Sequence, residues 1–182
     1  MSYKMIPMTV AAIFLGSAAF LSGQPATDDT AMAGCPMHVD HAKGVDQRGD
    51  KAMGFSHDKT THHFRITQDG GTIEVTAKNA NDQTSRDQIR GHLAHIAKLF
   101  AAGNFEIPMF VHDRKPPGVD VMQNKKDKVS YRYEEIEKGA RVLITTSDPD
   151  ALRAVHEFLR FQITDHRTGD PLQASKRSFS EG

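Results

Sequence analysis

The sequence predicts an α+β domain in which two ββα units form one antiparallel sheet with helices packed on one face. Three observations support this. Strand-like alternation around a Gly-containing turn occurs twice. Each occurrence is followed by a helical stripe of apolar residues. The two helices also carry matching charges, Asp87 and Arg90 against Asp150 and Arg153. A hairpin with one helix is too small to bury its own core, so two units joined edge to edge are required.

The chain begins with a separate signal. Lys4 precedes the apolar run Met5 to Leu21, and Ser22-Gly23-Gln24-Pro25-Ala26 follows. A positive start, an apolar stretch and small residues after it read as a secretory signal peptide over residues 1–26, cut after Gly23 or Ala26. Pro7, Gly16 and Ser17 weaken the run as a membrane-spanning helix. The mature protein is therefore expected in the periplasm or secreted, with no integral membrane domain. Met32-Ala33-Gly34-Cys35 loosely resembles a lipobox, but Asp28 and Asp29 separate it from the apolar run, so a lipid on Cys35 is not expected.

Residues 27–57 are poor in large apolar side chains and read as a flexible tail containing Cys, Met and His. The α+β domain is expected over 58–172. Thr61 to Thr67 alternates, Asp69-Gly70-Gly71 turns, and Thr72 to Ala77 alternates again, which is a hairpin pattern. A helix follows to Phe100, with Ile89, Leu93, Ile96 and Phe100 on one face and Gly103 as its stop. Ile107 to His112 reads as a short strand, Arg114 to Gly118 as a loop, and Asp120 to Asp127 as a short helix. Val129 to Ile136 and Arg141 to Thr146 make the second hairpin. Ser147 or Asp148 caps the last helix, with Pro149 in its first turn and Leu152, His156, Leu159 and Ile163 as its stripe. Residues 173–182 are expected to be disordered.

Composition excludes some functions. The 23 basic and 23 acidic side chains balance, so there is no basic field for nucleic acid. No P-loop, dinucleotide fingerprint or Gly-x-Ser-x-Gly elbow is present. The single cysteine cannot form an internal disulfide.

Ten histidines stand out in a chain with no tryptophan. Histidine is the commonest metal ligand and the usual acid or base near neutral pH. His156 falls where the first helix has Leu93, and alternation puts His62 with Phe64 and Ile66. Both are therefore expected in the layer between sheet and helices. There they are either hydrogen-bonded core residues or a site for a metal, a haem or a catalytic base. His92 and His95, three apart on one helix, could reach a single ion. His112, beside the Pro-Pro-Gly loop, is placed to line a cleft. His166 reads as a structural residue at a helix C-terminus.

In the tail, Cys35, Met37 and His38, with His41, offer thiolate, thioether and imidazole, a set suited to Cu(I) or Zn(II). The string Cys35-Pro36-Met37-His38 resembles the motif of heavy-metal-binding segments in bacterial efflux proteins. That resemblance implies copper or zinc capture there. More widely, Met53-Gly54-Phe55, Lys59 to Phe64, His92 to Ile96 and His156 to Ile163 resemble a family of small exported bacterial proteins without assigned chemistry. Some members carry an aspartate carbamoyltransferase label. The length and the absence of a Ser-Thr-Arg-Thr phosphate loop do not support that label here.

The function these readings lead to is an exported histidine-rich protein that binds copper or zinc. Alternatives are a haem protein or acid–base enzyme using His62, His112 or His156, and a structural envelope protein that forms a homodimer.

Overall fold

The structure is a computed structural model that describes residues 36–175, with side chains from Asp40 onward. Residues 1–35, where a signal peptide and the Cys35 ligand are expected, and residues 176–182 lie outside the described residues. No helix among the described residues is long and apolar enough to cross a membrane.

The chain runs α1 (Pro36–Met53), β1 (Thr60–Thr67), β2 (Gly70–Ala77), α2 (Gln83–Ala101), α3 (Glu106–His112), α4 (Val119–Asn124), β3 (Val129–Ile136), β4 (Gly139–Thr146) and α5 (Pro149–Asp165). The four strands form one antiparallel sheet in the order β1-β2-β4-β3. The two hairpins meet through β2 and β4, as the repeated ββα pattern requires. Each hairpin closes over two residues, Gln68-Asp69 and Glu137-Lys138. A glycine is needed at Gly70, where φ is +152° and a Cβ would run into the carbonyl of Ile144 on β4.

Period-two alternation separates the two faces. Phe64, Ile73, Val142 and Tyr133 form one row across the sheet, directly paired in register, under α2 and α5. On the opposite face His63, Glu74, Arg141 and Glu134 form a row of alternating charge. Arg141 donates to Glu134 across 2.7 Å there.

Asp82 caps α2 by accepting from Ser85 N. Asp148 caps α5 by accepting from the amides of Asp150 and Ala151, with Pro149 in the first turn. The buried stripe of α5 is Ala151, Ala154, Val155, Phe158, Leu159, Gln162 and Ile163. It matches the stripe of α2 with Leu93 opposite Val155, Ile96 opposite Phe158 and Phe100 opposite Gln162. The expected pairing of Leu93 with His156 is therefore wrong by one residue.

Two further expectations are corrected. Ile107 to His112 belongs to a helix, not a strand. Asn104 Oδ1 accepts from Glu106 N at its start, and Pro108 falls in the first turn, where a missing N–H costs nothing. The supposed flexible tail is helical from Pro36 to Met53. Helix α1 lacks bulk but has a stripe of small residues, with Ala42, Val45 and Gly49 buried against its neighbours. Polar anchors supply the rest: Arg48 Nε donates to the carbonyl of Val111 across 2.8 Å, and His41 reaches Asp165. Small residues allow close approach, and long-range hydrogen bonds replace apolar area.

The C-terminal stretch runs along the outer edge of β1. Asp170 accepts from the amide of Phe64 and from His63 Nδ1, both at 2.9 Å, and Ser175 N donates to the carbonyl of Ile66. An uncovered edge strand would invite pairing with another chain.

Candidate functional site: a histidine-lined cavity

Four histidines reach one cavity from four elements. His62 comes from β1, His92 from α2 and His112 from the last position of α3. His166 comes from the residue that ends α5. Met53, at the end of α1, and Gln162 of α5 complete its polar and polarisable lining. The remaining walls are apolar, among them Ile96, Phe100, Val111 and Phe158. The cavity volume is about 80 Å³.

The histidine rings touch in sequence. His62 and His166 lie parallel, with centroids 5.9 Å apart. His166 meets His112 edge-on at 4.9 Å. His92 packs edge-on against Phe55 at 5.8 Å. His62 Nε2 stands 3.3 Å from the thioether sulfur of Met53.

Burial disfavours charge on these rings. It pulls His62 down to about 4, helped by the neighbouring His92. Burial likewise lowers His92 to about 4, with His95 adding to the effect. His166 falls to about 3 through burial and the adjacent His112 and His62. At neutral pH these three imidazoles are uncharged and each keeps a lone pair.

His112 differs. It is 1% exposed, and its Nδ1 lies 2.5 Å from Asp165 Oδ2. Its Nε2 lies 3.0 Å from Gln162 Oε1. Asp165 also binds His41 Nε2 and Arg114 Nη2, each at 3.0 Å on its other oxygen. Burial alone would raise this carboxyl. Hydrogen bonds and charge from His112 and His41 overcome that and hold it well below the usual carboxylate range.

The structure thus brings together His62, His92 and His112 from the sequence-based candidates. It separates the others. His156 is half-buried at the edge of the stripe and donates through Nε2 to the carbonyl of Thr67 across 2.9 Å. It does not enter the cavity, because its helix is rotated by one residue from the expected register. His95 points to solvent, so it does not pair with His92 on one ion. His41 is engaged with Asp165 and belongs to the helix clasp, not to a free tail. Cys35 lies outside the described residues, as do the side chains of Met37 and His38.

Sequence reasoning missed Met53, Gln162, Asp165 and the inward role of His166. Gln162 carried a visible signal: it is the polar residue in an otherwise apolar stripe, where the first helix has Phe100. Met53 and Asp165 had none, because their partners are far away in the chain.

The cavity, at about 80 Å³, is far below the roughly 300–1,000 Å³ of pockets for drug-sized ligands. No three His, Cys, Asp or Glu among the described residues are grouped closely enough to hold a metal ion. A closed tetrahedral zinc site of those ligands is therefore not formed there. A thioether–imidazole pair suits a softer, low-coordinate ion such as Cu(I).

A second pocket of about 240 Å³ adjoins the first and shares Gly49, Met53, His62 and His166 with it. Its outer rim includes Asp46, His57, Thr60 and Lys78. Met53, His62 and His166 thus line both pockets where the two meet.

No family description, curated protein or solved structure matches the chain.

Proposed function

We propose that the protein binds Cu(I), with Met53 and His62 as ligands. One observation carries the reading: an uncharged, part-buried imidazole nitrogen stands 3.3 Å from a thioether sulfur where two pockets meet. Metal–nitrogen and metal–sulfur bonds of roughly 2.0 and 2.3 Å, meeting near the tetrahedral angle, set the two donor atoms roughly 3.5 Å apart. The pair therefore needs little movement to accept an ion. Lowered histidine pKa values favour this, since the ligand form is neutral and no proton has to be displaced. The adjoining pocket supplies an access route to the pair. Export and the Cys35-Met37-His38 segment agree with such a role, as a capture site ahead of the internal one.

Competitive Cu(I) titration of the mature chain tests this, in a Cys35→Ser, His38→Ala background that removes the capture segment. One equivalent should bind, and X-ray absorption should show nitrogen and sulfur neighbours. Met53→Leu and His62→Ala should each weaken binding at least 10-fold. His156→Ala should leave it unchanged. Absence of binding, or full affinity in Met53→Leu, would refute the assignment.

A further inference from the structure

The cavity holds a polar group that the copper reading does not use. Gln162 is 4% exposed, and its Nε2 has no hydrogen-bond partner among the described residues. Buried amides are normally satisfied, so one left over calls for an explanation. The cause is the hydrogen-bond chain that runs from Asp165 to His112 to Gln162. Asp165 is a carboxylate and accepts from His112 Nδ1–H. If His112 Nε2 also carries a proton, Gln162 Oε1 accepts it and the NH₂ group is left over. If Nε2 is bare, the amide turns over to donate to it and the carbonyl is left over. Either way one half of the Gln162 amide remains without a protein partner, in a residue that lines the cavity, and because that atom is fully buried a ligand reaches it by a small shift of the neighbouring side chains.

We propose that the histidine-lined cavity is a second binding site, for a small uncharged molecule with an apolar body and one hydroxyl group that pairs with the Gln162 amide. A hydroxyl both donates and accepts, so it satisfies the amide in either orientation. The apolar walls provided by Ile96, Phe100, Val111 and Phe158 exclude a charged ligand, which would lose its hydration without a counter-charge. Size sets the limit. An engineered apolar cavity of roughly 150 Å³ takes benzene. About 80 Å³ therefore suits a molecule the size of a short-chain alcohol. The cavity is itself open towards solvent, so a small molecule needs no separate gate to enter it. The inference does not depend on copper and is tested on metal-free protein.

Methyl-labelled mature protein, freed of metal, would be titrated with 2-propanol and, separately, with xenon, which has the apolar body but no polar end. Both probes should shift the methyl resonances of Ile96 and Val111 saturably. Gln162→Met keeps the shape and removes the amide. It should weaken 2-propanol by about 3- to 10-fold, the worth of one hydrogen bond, and leave xenon binding intact. Ile107→Phe, which fills the cavity from α3, should abolish both titrations. This second variant, with the wild-type mapping, decides the matter if Gln162→Met does not fold. Absence of saturable shifts with 2-propanol would overturn the proposal, as would equal 2-propanol affinity in Gln162→Met. Binding that survives Ile107→Phe would place the probe elsewhere and overturn it too.

Discussion

Asp165 ends helix α5 with one carboxylate oxygen 2.5 Å from Nδ1 of His112, the last residue of α3. Its other oxygen holds His41 of α1 and Arg114 of the loop after α3. One side chain therefore fastens three segments that are distant in sequence. It also fixes the ring of His112, through which the polar chain reaches Gln162 in the cavity.

Replacing Asp165 with Asn should be costly for that reason. The change leaves three basic partners around a neutral amide, and His112 is buried with no other carboxylate on it. Losing a hydrogen bond to a buried charged group typically costs about 1.5–3 kcal/mol. Urea unfolding should show a loss of that size. Limited proteolysis should also find α1 cut more readily, since His41 would lose its anchor. A loss near zero would mean that the clasp is dispensable.

Acid should destabilise the protein well above the range in which carboxylates titrate. His62 and His92 have folded values of about 4 and His166 about 3, against an ordinary value near 6.5. Between these limits the unfolded chain binds more protons, so stability falls as pH drops from about 6.5 towards 4. A tenfold difference in proton affinity between the folded and unfolded chain is worth about 1.4 kcal/mol, so the three rings together outweigh most single interactions. His57 acts in the opposite sense. Partial burial would lower it, but Asp50, Asp46 and Asp58 raise it, so it favours the fold in acid. It is one half-exposed residue against four, since burial lowers His156 as well. Urea midpoints measured from pH 7.5 to 4 should fall steeply, and His92→Phe should flatten the curve. A pH-independent midpoint would contradict the neutral state of the cavity histidines.

Asp170 offers a third test. Its carboxylate is the partner of the Phe64 amide and of His63 on the outer edge of β1. Asp170→Ala should cost about 1–2 kcal/mol, and the Phe64 amide should exchange with solvent faster than amides of β4. Unchanged protection at Phe64 would show that the C-terminal stretch does not seal this edge.

The two hairpins and their helices were legible because their signals are local. Alternation, turn residues and Asp or Pro at helix starts act within a few positions. Register was harder: Arg90 and Arg153 invited an alignment that put His156 in the core. The buried stripes align one residue differently, with Phe100 opposite Gln162. Arg90 in fact holds the β3–β4 turn by donating to the carbonyls of Gly139 and Ile136, whereas Arg153 pairs with Asp150 on its own helix. Helix α1 escaped notice because composition measures bulk, and its stability comes from close approach and from Arg48 and His41 reaching distant partners. The cavity was half visible. His62, His92 and His112 were candidates, but nothing local could show that Met53 and His166 join them.

The strap of residues 170–175 along β1 also bears on how the chain reaches its native state. The edge of the first hairpin is sealed by residues that follow the last helix, and α1 is anchored by Asp165. During vectorial synthesis neither can settle until α5 and residues 170–175 have emerged. An early hairpin with an open edge is a hazard for misassembly. Commitment to the fold is thus deferred until those residues are made, and a chain stalled before α5 should remain a substrate for chaperones.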